Sequence, residues 1–250
     1  MTGTLRSEWT KMHSLRSTPV TVAVALVLAV GLGMLVARRF GTVWAESPAD
    51  GFDPVSSSLF GLFILAPLAV GALGVLSVTS EYASGMIRTS LWAVPRRGRL
   101  LAAKALVTGG SALVVGVVMA FGTFVAAQPQ LGRSGAPQAA LGDPGVLRAI
   151  LGTGVWLAGV ALCGVAFGAL FRATAGGFAA LVAMVLVAPL LAGALPPWFG
   201  KWWPTMAGRQ IASTVPDPAL LGPYQGLGLM YATIAVLLAL SYAVFRTRDA

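Results

Sequence analysis

Six apolar runs set the frame of the chain. They fall at about residues 19–37, 56–78, 105–127, 149–171, 176–195 and 226–245. Each has roughly the 20 residues that an α-helix needs to cross about 30 Å of hydrocarbon. Between them lie polar stretches of very different character. Residues 1–18 form a polar head in which Leu5, Trp9 and Met12 recur at i, i+4 and i+7, with Arg6, Lys11, His13 and Arg16 around them. That pattern predicts a helix lying in the membrane interface. A cleaved signal peptide is the alternative reading of this start. The head is long and carries Glu8, and no small-residue cleavage site follows Arg38-Arg39, so the first run reads as an uncleaved span.

The largest charged interruption is residues 79–104. Arg88, Arg96, Arg97, Arg99 and Lys104 face a single acid, Glu81. Ile87, Leu91 and Val94 recur at helical spacing and predict a short helix with an apolar face. Pro95 should stop it, having no N–H to give and clashing with the preceding turn. Two readings stay open: a short helix that passes force from a soluble partner into the spans, or an ordinary topogenic loop with an interfacial helix. The other notable interruption is residues 196–224, where Trp198, Phe199, Trp202 and Trp203 crowd among Pro196, Pro197 and Pro204. It reads either as an aromatic belt at the interface or as a re-entrant element capping a path.

Composition confirms the class. Of 250 residues 57% are hydrophobic and 10% charged, with a mean hydropathy of +0.83; soluble domains carry about a quarter charged residues. The length allows one domain, residues 1–250, all-α and membrane-spanning. The net charge of +9 is sorted by membrane side and does not point to nucleic acid. With both termini cytoplasmic, the inner segments hold Arg6, Lys11, Arg16, Arg88, Arg96, Arg97, Arg99, Lys104, Arg172, Arg246 and Arg248. The outer loops hold Arg38, Arg39, Arg133, Arg148, Lys201 and Arg209. This excess of inner bases predicts that orientation, with Asp50, Asp53 and Asp217 outside.

Candidate chemistry narrows the function. The six runs, as drawn, contain no Asp, Glu, Lys, Arg or His, whereas ion-coupled carriers place ionisable groups at mid-membrane. Gly200-Lys201 is followed by Trp202 and is no phosphate-binding loop. Ser111 has no base to serve it. His13 is the single histidine and Cys163 the single cysteine, so neither a metal cluster nor an internal disulfide is expected. Pro67 and Pro189 sit inside apolar runs; each frees a backbone carbonyl that neighbouring helices must satisfy, which predicts kinks. Gly154, Gly159, Gly164 and Gly168 punctuate the fourth run, and Gly176, Ala179, Ala180 and Ala183 stripe the fifth. Such small-residue faces pack helices closely, within one subunit or between two.

The order of these features resembles a known family. Glu81, Gly85, Pro95-Arg96-Arg97 and Lys104 are similar to the loop after the second span of type-2 ATP-binding-cassette (ABC) exporter permeases. Ser7-Glu8-Trp9-Thr10-Lys11 resembles the family's entry segment. Trp203-Pro204-Thr205-Met206-Ala207-Gly208, Asp217-Pro218 and the terminal Arg248-Asp249-Ala250 resemble the carboxy-terminal third of its short six-span group from high-GC bacteria. The resemblance implies six transmembrane helices, an N-terminal elbow helix, and a cytoplasmic coupling helix between spans 2 and 3 in the bacterial plasma membrane. It implies two separate ATPase subunits that hold ATP and Mg, with no cofactor in this chain, and a second permease subunit, identical or homologous. Spans 1, 2 and 5 would line the path. Glu81, Gly85, Met86, Ile87, Arg88, Leu91 and Pro95 would form the ATPase-coupling segment. Arg96, Arg97, Arg99 and Lys104 would face lipid headgroups. A path without charges suits amphipathic or lipid-like cargo. The rival classes are a channel or passive carrier without an ATPase, and a membrane scaffold that transports nothing.

Overall fold

The structure is a computed structural model that describes residues 2–14, 17–48, 51–93, 97–215 and 217–247, with the side chains at 13, 14, 17, 18, 88, 91, 93, 97 and 247 outside the description. The described residues form helices and turns only. The order is α1 (Thr2–Ser14), α2 (Ser17–Glu46), α3 (Pro54–Leu59), α4 (Leu62–Ala83), α5 (Met86–Ala93), α6 (Arg97–Gly132), α7 (Val146–Phe171) and α8 (Thr174–Val182). Then come a π-helical turn (Ala183–Val187), α9 (Ala188–Leu191), a 3-10 turn (Ala192–Ala194), α10 (Pro197–Trp202), α11 (Pro204–Arg209), a second 3-10 turn (Gln210–Ala212) and α12 (Pro223–Thr247). Six of these stretches are long and apolar enough to cross a membrane: Pro19–Glu46, Leu62–Ala83, Gly98–Gly132, Val146–Phe171, Thr174–Ala194 and Pro223–Arg246.

The spans match the expected ones in number, but two are much longer. At 1.5 Å per residue, α2 with 30 residues and α6 with 36 run roughly 45 and 54 Å, well beyond about 30 Å of hydrocarbon. Charge marks where the hydrocarbon ends; it does not end a helix. Arg38 and Arg39 are exposed on α2, and the helix continues because Ala37, Phe40 and Trp44 pack on Ala127, Leu131 and Ala136 beside α6. The second span also starts later than expected, because residues 54–59 form the separate helix α3. The expected spans were free of ionisable groups; the observed helices carry Glu81, Arg99, Lys104 and Arg148 near their ends.

α7 is the central post. In its most apolar stretch 72% of the residues are buried, against 17–22% in those of the first, fifth and sixth spans. Its glycines explain how it packs on several neighbours. A Cβ at Gly164 would collide with the Gly71 carbonyl of α4, and one at Gly74 with the Ala161 carbonyl of α7. Gly154 meets Val117 of α6, and Gly159 meets Met230 and Ile234 of α12. The Gly164/Gly168 pair is therefore an internal seam between α4 and α7. The fifth-span stripe differs, since Ala179 and Ala183 are exposed.

The ends of the bundle separate cleanly. At one end gather α1, α5, the α7–α8 link and the end of α12: Ile87 packs on Leu100 and Phe245, and the Arg172 guanidinium donates to the Val244 carbonyl at 3.5 Å and lies over the Tyr82 ring. At the other, Asp53 is the hub. It caps α3 by accepting from the backbone N–H of Val55 and Ser56. It also accepts from the Thr214 N–H (2.7 Å), the Thr214 hydroxyl (2.7 Å), the Val215 N–H (3.1 Å) and the Ser213 hydroxyl (3.1 Å). Burial alone would raise its pKa, but these hydrogen bonds outweigh burial and hold the carboxyl below its ordinary value.

Two outcomes are expected. Gly164→Ala should lower stability in detergent by about 1–3 kcal/mol, read as a lower melting temperature, because backbone lies where the Cβ must go. Asp53 has a lowered folded pKa, so its contribution is complete above the ordinary aspartate value of 3.8 and is lost as pH falls through the folded value. Melting curves of the wild type and Asp53→Asn should therefore converge in acid and stay apart at neutral pH.

Candidate functional site

The site grows from two acids that an apolar bundle cannot leave alone. Glu81 lies on the last turn of α4 and Glu8 on α1, and both are buried. A buried carboxylate needs a paired charge. Lys104, on the second turn of α6 and only 3% exposed, supplies it. Its Nζ donates to Glu8 Oε2 at 2.8 Å, to Glu81 Oε1 at 2.7 Å and to the Ser77 carbonyl at 2.9 Å. An ammonium has three N–H donors, so Lys104 is saturated. Lys11, one turn after Glu8, donates to Glu8 Oε1 at 2.8 Å, to Glu81 Oε1 at 2.8 Å and to the Ser90 hydroxyl at 3.3 Å. Two acids and two bases thus close a neutral knot that ties α1, α4, α5 and α6. Burial pushes the Lys11 pKa down, but hydrogen bonds from its ammonium to Glu8 and Glu81 outweigh this and hold it above the ordinary lysine value.

α5 is set against this knot. Gly85 lies at φ 71°, the left-handed region that favours glycine, and has open space around its Cα. It makes the turn between α4 and α5, as expected of a glycine there. Ile87 is 4% exposed and packs on Leu100, Phe245 and Tyr82. Met86, Thr89 and Trp92, at i, i+3 and i+6, are exposed, Trp92 at 88%.

These placements correct three expectations. Lys104 does not face headgroups; its ammonium is consumed by two acids inside the chain. Glu81, expected in the ATPase-coupling segment, is turned inward at the C-terminal end of α4 and pairs with Lys11 and Lys104. The Ile87 side chain is not offered to a partner's groove, since α6 and α12 already cover it. Arg99 is exposed. Pro95 and Arg96 lie outside the described residues, as do the side chains of Arg88, Leu91 and Arg97. Sequence reasoning passed over Glu8, Lys11, Ser90 and Trp92. The signal for Glu8 was available: it and Glu81 are two of the few acids among the bases expected at that end.

The other expected residues lie toward the opposite half. α4 runs through Pro67 as one helix. Pro189 follows the π-helical turn, in which the Ala188 N–H bonds to the Ala183 carbonyl. In that register the Met184 carbonyl would look to residue 189, and proline has no N–H. Instead it accepts from the Trp203 indole at 2.8 Å and the Thr205 hydroxyl at 3.1 Å. The aromatic group therefore divides. Trp203 is an anchor with Phe199 stacked on it at 4.9 Å, while Trp198 and Trp202 are exposed. The segment dips into the bundle: Gly208 lies against Trp156, ten residues into α7, or about 15 Å along its axis. Among the described residues no group of His, Cys, Asp or Glu is placed to hold a metal.

Lys104→Met should leave Glu8 and Glu81 sharing Lys11 alone, one buried negative charge in excess, at a cost of about 3–5 kcal/mol, seen as a lower melting temperature and lower yield. Adding Glu81→Gln should recover part of that loss; a purely additive double variant would show that the pair is not coupled.

A comparison with curated proteins gives no significant match. The family model described as ABC-2 family transporter protein matches residues 4–190. That span takes in most of α1, the knot, α5, the first four membrane-length helices and most of the fifth. A match over well more than half the chain, on a six-span helical bundle, shows that this membrane protein belongs to the ABC-2 transporter family, whose permeases work with ABC ATPases.

Proposed function

We propose that the chain is the permease subunit of an ATP-driven exporter in the plasma membrane, paired with an identical or homologous permease and driven by two ATPase subunits that hold ATP and Mg. The observation that carries the reading is the way α5 is held. Its buried face is fixed by Ile87 on α6 and α12, and the Lys11–Ser90 hydrogen bond links it to the knot. Its other face offers Met86, Thr89 and Trp92 outward. An ATPase seated on that face would push a helix already tied to α1, α4 and α6, and so move two spans directly. Large exposed aromatics of this kind are common anchors of protein interfaces.

The knot end is proposed to be cytoplasmic. It gathers Arg172, Arg246 and most of the described basic residues, which resist translocation. Arg99, and with it Arg96 and Arg97, would set the depth of this end among headgroups. The moving part of the path would be the fifth span, where Pro189 and the π-helical turn interrupt regular hydrogen bonding. Pro67 would give α4 a second soft point.

Pull-down of the ATPase by the detergent-solubilised permease tests the docking face. Met86→Asp and Trp92→Asp should each weaken it about tenfold or more and abolish permease-stimulated ATP hydrolysis, with melting temperature unchanged because both side chains are exposed. Normal capture and stimulation by both variants would remove α5 from the interface. Cargo movement without any ATPase would favour the passive carrier. For orientation, a cysteine at Ser84, with Cys163 replaced, should react with an impermeant thiol reagent only in opened cells; labelling from outside would invert the topology.

A further inference from the structure

Arg209 closes α11 at the end of the bundle away from the knot. Its guanidinium lies 5.3 Å from the Phe60 ring centroid and 5.5 Å from that of Phe63. Among the described residues it pairs with no carboxylate and donates no hydrogen bond. Asp53, the acid nearby in the fold, is occupied by Ser213, Thr214 and Val215. Aromatic faces attract the half-buried guanidinium, but they supply no counter-charge and no acceptor for its five donors. Burial of part of the side chain lowers the Arg209 pKa from its ordinary value, and the guanidinium keeps its charge.

Arg209 also borders a cavity of about 20 Å³, together with Phe63, Trp156, Val185, Pro189 and Met206. The other donors in this wall are already used. The Trp156 indole donates to the Thr205 carbonyl at 2.9 Å, and the Thr205 hydroxyl to the Met184 carbonyl. What remains is one positive fork in an apolar frame. The cavity has room for about one water-sized group, which is one oxygen of an anionic head. The rest of such a molecule would stay outside, where Val187, Leu190 and Leu191 of the adjoining helix are exposed.

We propose that Arg209 and this aromatic frame bind the carboxylate or phosphate head of an anionic amphiphile, whose apolar body lies along the exposed side of the fifth span. A guanidinium holds either head in bidentate fashion. As a statement about cargo, this rests on the export reading above. As a statement about binding it does not, and the test reads binding in the absence of any ATPase or nucleotide.

The purified chain in phosphatidylcholine nanodiscs is titrated with dodecyl phosphate, dodecyltrimethylammonium and inorganic phosphate, and tryptophan fluorescence is followed. Dodecyl phosphate should saturate, while the cation and inorganic phosphate should not. Arg209→Gln should weaken dodecyl phosphate about tenfold or more, and Arg209→Lys less. Met206→Trp, which fills the cavity, should weaken it without loss of the charge; the melting temperature of each variant separates a lost site from a lost fold. Repeating the titration with phosphatidylglycerol in the disc separates the sources: competition identifies a lipid headgroup as the occupant, and its absence a freely diffusing amphiphile. Equal binding by the wild type and a folded Arg209→Gln, or equal binding of the cation, would overturn the proposal.

Discussion

Buried charge at the end of an apolar bundle is the constraint on which the rest of this molecule depends. Glu8 and Glu81 are sealed from water, and each must meet a base in place or stay protonated. Lys104 and Lys11 meet both at 2.7–2.8 Å. Because the four residues come from α1, α4 and α6, neutralising the charges also fixes the helices. Such knots add little net stability compared with well-packed apolar residues, since desolvation offsets much of the attraction. Their use is geometric: removing one member leaves an unmatched buried charge, so the members act together. α5 joins through Ser90 and Ile87, which makes it the handle of a unit and not a free surface helix.

The bundle behind that unit is built to approach closely. Gly74, Gly164 and Gly168 let the backbones of α4 and α7 touch, where dispersion and not the hydrophobic effect holds helices in lipid. At the other end the packing loosens around the fifth span, where the π-helical turn, Pro189 and the borrowed hydrogen bonds of Trp203 and Thr205 replace a regular ladder. The molecule thus joins a rigid, charge-locked end to a softer one, as a subunit that converts a push at one face into opening at the other would require.

The number of spans was legible because the thickness of hydrocarbon imposes a length on every apolar run. Helix ends were not, because Arg38 stops the membrane and not the hydrogen bonding that carries α2 on to Glu46. Lys104 shows the limit most clearly. A lysine at the start of an apolar run is locally the same whether it snorkels to headgroups or pairs with an acid 96 positions earlier in the chain. Ile87 was correctly placed on the apolar face of a short helix, but periodicity states that a face is covered, not by what. Glu81 was singled out in the charged interruption, but its pairing with Lys11 and Lys104 was not foreseen. The proline rule did better: it required some neighbour to satisfy a freed carbonyl, and Met184 has two. That the π register moves this orphan from residue 185 to residue 184 needed coordinates.

The central claim is that the knot makes α1, the end of α4, α5 and the start of α6 one mechanical unit. Spin labels at Thr10 and Ser84, and at Thr10 and Arg99, with Cys163 replaced, measure it directly in the permease–ATPase complex. The account predicts that both distances keep the same narrow distribution without nucleotide and with nucleotide trapped, and that Lys104→Met broadens them. Distances that change by several ångströms on nucleotide binding in the intact complex, or that ignore Lys104→Met, would contradict it.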